Sequence, residues 1–223
     1  MKPNMLLTAM LITIPLLMSG CKITIGDSSS DEVKGSGKIV TESRKIADFT
    51  AIDIEGAANV KLRQGAVQSI TIFGDDNIVP LITTSVSNGK LTINNSKSYS
   101  SDHNVDLVIV VPKIEALTVE GFSQVDLKEI SSKKLDVKID GASVIGVQGA
   151  VDSFDAEVNG AGSIDAGKLI AKAVTAEVSG AGSIKVNAVD SLDASVSGVG
   201  KVTYAGDPKL KTNISGLGSI KKI

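Results

Sequence analysis

A glycine recurs through the second half of the chain at Gly121, Gly141, Gly160, Gly180, Gly198 and Gly216, at intervals of 20, 19, 20, 18 and 18 residues. Spacing this regular and this short is the mark of stacked structural units. Before each later glycine, apolar residues alternate: Leu135, Val137, Ile139; Phe154, Ala156, Val158; Val174, Ala176, Val178; Leu192, Ala194, Val196; Leu210, Thr212, Ile214. Alternation is the strand period, which places these side chains on one face. After the glycines a second pair returns: Val125 and Leu127, Ile145 and Val147, Ile164 and Ala166, Ile184 and Val186, Val202 and Tyr204. A third, shorter side carries residues such as Leu169. A coil with three short sides buries its inward face only when another coil stacks on it, so the pattern predicts a β-solenoid.

Stacking also explains which letters repeat. "VNGAGSIDA" at 158–166 and "VSGAGSIKV" at 178–186 share their apolar and glycine positions and differ in charge. Coils about 4.8 Å apart bond backbone to backbone and bury inward columns, while outward side chains meet water and their neighbours in the stack. The corner glycines, including Gly56 upstream, supply the positive φ of a sharp turn. Gly162, Gly182, Gly200 and Gly218 add a second glycine two positions on, where Ser123 and Ser143 stand in earlier coils.

Upstream the period lapses. "IEGAANVKL" (54–62) is a relative of the repeat, with Val60 and Leu62 inward. "DDNIVPL" predicts a short helix or turn. Asn88-Gly89 within "TSVSNGKLTIN" predicts a hairpin. "VDLVIVVP" reads as a buried strand ended by Pro112. The path between Gly65 and Val105 stays open at this level.

"RKIADFTAIDIEGAANVKLRQG", "ITIFGDDNIVPLITTSVSNGKLTIN" and "VDLVIVVPKIEALTVEGFSQVDL", in that order, resemble the bacterial head GIN domain family (DUF2807), which carries an auto-transporter adhesin label. The resemblance runs from about Arg44 through the C-terminal repeats. It implies an all-β, right-handed parallel β-helix on an exported or surface protein. The chain holds no C-terminal run of amphipathic strands long enough for a translocating barrel.

The N-terminus reads as an address. Lys2, the apolar run from Met5 to Met18 and "MSGC" predict a bacterial lipoprotein signal peptide over 1–20, too short to span a bilayer. Cleavage before Cys21 leaves the chain's only cysteine as the site of lipid attachment, and acyl chains such as palmitate hold the protein at a membrane. Lys22 lacks the aspartate associated with inner-membrane retention, which favours the outer membrane. Residues 21–34, Ser-rich and charged, read as a flexible tether, and 35–223 as a single β-helix domain.

The inventory for catalysis is thin. His103 is the only histidine and lies in the polar loop "SYSSDHNVDL"; no "GxSxG" elbow accompanies it. "GSGK" at Gly35–Lys38 precedes Ile39 rather than Ser or Thr, so it is not a phosphate loop. Twenty-three Lys and Arg against twenty-five Asp and Glu, without a basic cluster, argue against a nucleic-acid partner. No cofactor is expected beyond the covalent lipid. Stacking predicts Asp136 over Asp155 and Glu157 over Glu177, an acidic face that is either a divalent-cation site or a solvated surface that blunts aggregation. Lys138 lies near enough to offset part of its charge.

These features predict a non-enzymatic envelope lipoprotein that adheres to a surface glycan or protein. A periplasm-facing scaffold in envelope maintenance is the alternative, and a glycan-active β-helix enzyme the third reading. "ISGLGSIKKI" predicts either self-association through solenoid ends or edges, or a fold-back cap involving Lys221 and Lys222.

Overall fold

The computed structural model describes residues 32–223; the signal peptide, Cys21 and nearly all of the tether lie outside the described residues. In chain order the strands are β1 (Val33–Lys34), β2 (Ile39–Arg44), β3 (Ala51–Gly56), β4 (Asn59–Gln64), β5 (Ser69–Asp75), β6 (Ile82–Ser87), β7 (Lys90–Asn95), β8 (Tyr99–Ser100), β9 (Asp106–Val111), β10 (Ala116–Gly121), β11 (Gln124–Gly141), β12 (Val144–Gly160), β13 (Ser163–Gly180), β14 (Ser183–Gly198), β15 (Lys201–Ala205), β16 (Lys209–Gly216) and β17 (Ser219–Lys222). A 3-10 turn, Val79–Leu81, falls within the "DDNIVPL" stretch.

The C-terminal half is the parallel β-solenoid that the alternation predicts. Each of β11 to β14 runs from one corner around a coil to the next glycine, and the register slips only from the end of the second side through the third, as between Leu127 and Ile130 and between Gly146 and Gln148. Gly56, Gly121, Gly141, Gly160, Gly180, Gly198 and Gly216 stack in register. All seven have φ between +109° and +151°. A Cβ on Gly180 would lie 2.6 Å from the Gly160 carbonyl oxygen, so both turn shape and close stacking demand glycine there.

The second glycines answer to packing. A Cβ on Gly182 would stand 2.4 Å from Val158 Cγ1. In the earlier coils serine fits instead and stitches the corner: Ser143 Oγ donates to the Gly121 carbonyl (2.9 Å) and accepts from the Ser123 N–H (2.9 Å).

Inward residues form continuous columns. Ile54, Val119, Ile139, Val158, Val178 and Val196 stack along one long side; Val60, Val125, Ile145, Ile164, Ile184 and Val202 stack along the other. Every one of them is buried. At about 1.5–3 kcal/mol per buried side chain, these columns are the main source of stability for the coils. Phe154 and Leu169 are likewise buried.

The N-terminal part departs from the coil. β7 and β9 join the parallel stack beside β3 and β4. Beyond them the sheets turn antiparallel: β6 pairs with β7 through the Asn88-Gly89 turn, while β5 pairs with β9 and β2 with β5. This settles the path between Gly65 and Val105. Arg44, at the end of β2, ties the two antiparallel halves. Its guanidinium donates to the carbonyls of Ile82 and Val79 (3.1 Å) and to Thr84 Oγ1 (3.2 Å), and Nε lies 2.7 Å from Glu42 Oε1.

Asp75 is fully buried and accepts from the Gly37 N–H (2.6 Å) and the Ser101 hydroxyl. The "GSGK" segment is thereby fastened to the 96–105 loop, and Val33 and Lys34 pair in parallel with Tyr99 and Ser100. At the opposite end β16 pairs with β14 and β17 with β15. Leu210 and Ile214 keep the inward register but are 46% and 48% exposed, because no described residue stacks beyond them. Lys222 pairs with Asp207, and no segment folds back across this end among the described residues.

Candidate functional site

The outward face of the strand before each corner gathers the acidic residues. Asp136 lies beside Asp155, and Glu157 beside Glu177, in adjacent coils. Directly opposed like charges are destabilising unless compensated. Lysines compensate part of this charge: Lys134 bridges Asp136 and Asp155, and Lys138 reaches Asp140 and Glu157 but not Glu177. Lys134 Nζ is 2.9 Å from Asp136 and 3.4 Å from Asp155; Lys138 Nζ is 3.3 Å from Asp140 and 3.5 Å from Glu157. The hydrogen bond to Asp136 followed by its charge holds the Lys134 ammonium above the usual lysine range; Asp140 first, then Glu157, does the same for Lys138. Asn159 Nδ2 adds bonds to Asp140 (2.9 Å) and Glu157 (2.6 Å).

Among the described residues no three His, Cys, Asp or Glu side chains converge on a common point suited to an ion. The arrangement is an outward acidic ladder whose charge lysines offset in part.

A second feature lies where the period lapses. The loop 96–105 between β7 and β9 crosses the corner at Gly56 and Ala57, and Phe122 of the next coil projects beside it. Tyr99 and Phe122 line two adjoining grooves, of about 560 and 470 Å³. Phe122 is 75% exposed. Tyr99 is half-buried, its hydroxyl 3.5 Å from the Ala57 carbonyl, and burial pushes its phenol above the ordinary value.

The first groove adds Glu55, Asn94, Asn95 and Lys97. Asn94 Nδ2 donates to Glu55 Oε2 (2.7 Å) while its Oδ1 accepts from the Asn95 N–H (2.6 Å). Asn95 Nδ2 donates to the Ala57 carbonyl (3.2 Å). The second groove adds Asn59, His103, Asn104 and Gln124. His103 is exposed at its rim.

Neither Tyr99 nor Phe122 stood out in the sequence as a site residue. The available signal is the corner row itself: Ala57, Ala142, Ala161, Ala181, Val199 and Leu217 are aliphatic where Phe122 is aromatic.

None of the curated proteins searched matches the chain. Solved structures do. A "putative adhesin" from Bacteroides fragilis NCTC 9343 is 28% identical with a TM-score of 0.71, covering 86% of this chain and 100% of its own. A "putative adhesin" from Parabacteroides distasonis ATCC 8503 is 23% identical with a TM-score of 0.62, over 86% and 100%. A "putative lipid binding protein" from the same strain is 21% identical with a TM-score of 0.55, over 86% and 100%. The last two show the shared fold. The family profile described as "Putative auto-transporter adhesin, head GIN domain" (DUF2807) matches residues 48–208, and the chain belongs to that family.

Proposed function

We propose that this protein is a non-enzymatic adhesion module of the bacterial outer membrane, anchored by lipid on Cys21 and presenting its solenoid to ligands outside the cell. The observation that carries this reading is membership of an adhesin-type family. It is joined by a fold whose stacked backbone holds outward side chains in fixed rows. A parallel ladder in which each coil is bonded to the next gives a rigid, elongated surface with little conformational entropy to lose on binding. In the mature chain Cys21 stands at the start of a short polar segment, which lets the domain stand clear of the lipid surface.

The test is protease accessibility on intact cells, with Cys21→Ala as the anchoring control and a periplasmic protein to report leakage. Cleavage on intact cells, together with release of the Cys21→Ala chain from the membrane fraction, is the expected result. Protection until the outer membrane is broken would remove the adhesion reading and leave the periplasmic scaffold.

A further inference from the structure

We infer that the paired grooves around Tyr99 and Phe122 form a binding site for a neutral oligosaccharide, an inference that rests on the adhesion reading and gives it a ligand class. Sugars present an apolar face of C–H groups and a rim of hydroxyls. A site that holds them combines an aromatic surface with groups that both donate and accept hydrogen bonds, which among uncharged side chains the amides do best.

The chain has only four Phe and two Tyr. Phe49 and Phe154 are buried in the core. Two of the remaining four meet at one corner, flanked by Asn94 and Asn95 on one side and Asn59, Asn104 and Gln124 on the other. The length of the grooves is shared across a common aromatic divider, which suits a chain of linked rings better than a single compact ligand.

The amides of the first groove are already positioned. Asn94 is held between Glu55 and the Asn95 backbone, and Asn95 by the Ala57 carbonyl, so their remaining donor and acceptor sites are fixed before a ligand arrives. Charge points to a neutral ligand: Glu55 and Lys97 carry opposite charge in the first groove, and no Asp, Glu, Lys or Arg side chain lines the second. The backbone disfavours an extended peptide, because β3 is paired with β7 and β10, and β4 with β9 and β11. Among the described residues only the two-residue β8, paired on one side with β1, offers an unpaired edge beside the grooves, and two residues are too short to template an added strand.

The chain's lack of tryptophan gives a direct readout. Tyr204→Phe leaves Tyr99 as the only tyrosine, and its emission is followed in the full-length chain, held in a detergent without a sugar headgroup. The probes are neutral hexasaccharides of glucose, galactose, mannose and N-acetylglucosamine. A saturable change with at least one of them is expected, weakened about tenfold by Phe122→Ala and unaltered by Val199→Ala in the same corner row. Alanine already occupies that position at Ala142, Ala161 and Ala181, so Phe122→Ala leaves the fold intact.

No saturable response to any probe up to about 10 mM, a limit that spans weak millimolar binding, would overturn the site. So would binding that Phe122→Ala leaves unchanged. Surface exposure without a saccharide response removes the site and keeps the adhesion reading. A saccharide response from a chain protected inside intact cells keeps the site and removes that reading.

Discussion

The coils from β10 to β14 and the strands before them are built from the same sheet but by opposite rules. In the coils, every residue of a column does the same thing: Val158, Val178 and Val196 are interchangeable members of one stack. In the N-terminal part, single residues have unrepeated tasks. Arg44 ties β2 to β6, Asp75 fastens the Gly35–Lys38 segment to the 96–105 loop, and Asn94 and Asn95 shape a groove. Repetition supplies stability through many equal nearest-neighbour interfaces. Irregularity supplies both the closure of the stack and a concave aromatic surface.

The sharpest way to break this contrast is a glycine substitution made once in each region. Gly180→Ala places a Cβ 2.6 Å from the Gly160 carbonyl oxygen at φ +126°, against backbone that is itself held on both sides by the ladder. A loss of about 3 kcal/mol or more is expected, since strain and a rigid clash add. Gly89→Ala, in the β6–β7 turn at φ +72°, meets no atom within 4 Å. It bears only the left-handed backbone cost, about 1 kcal/mol. Denaturant unfolding of both variants checks the ratio; equal losses would mean that the coil corners relax far more readily than their register suggests.

Arg44→Ala should come between the two. It removes a guanidinium whose side chain is only 15% exposed and strands the carbonyls of Val79 and Ile82. Charged hydrogen bonds of this kind contribute about 1.5–3 kcal/mol. The loss should be local: hydrogen exchange accelerates in β2 and β6 and stays slow in β12 and β13. Arg44→Lys restores little, because one ammonium lacks the planar fork that reaches several acceptors. Uniform acceleration through β13 would show that cap and coils unfold as a single unit.

What the sequence discloses follows the same division. The coils are legible because inward apolar letters alternate and glycines keep their interval, both local signals. The Asn88-Gly89 hairpin and the 3-10 turn near Pro80 are legible for the same reason. The Arg44 tie is not, because it depends on β2 pairing antiparallel with β5, some 30 residues on. Asp75 reads as an ordinary turn residue in "FGDDN" until the chain returns through Gly37 and Ser101 to cover it. Tyr99 and Phe122 come together because the 96–105 loop crosses a corner made by a different coil. Periodicity in one stretch carries no information about which distant stretch will cover it.

The smallest effect is expected on the acidic face, where the coils come nearest to having a unique site. Lys138→Ala leaves Asp140 and Glu157 without their shared cation, while Asn159 still bonds both. The pairing raises the lysine's affinity for its proton. Its stabilisation is therefore complete below the ordinary lysine pKa and is lost only as pH rises through the higher folded-state value. Across neutral pH the contribution should be flat. The variant should melt slightly earlier than the parent at low ionic strength and level with it near 1 M salt, where the screening length falls to about 3 Å. A difference that persists in high salt would mean that Lys138 acts through packing of its stem on the sheet rather than through charge.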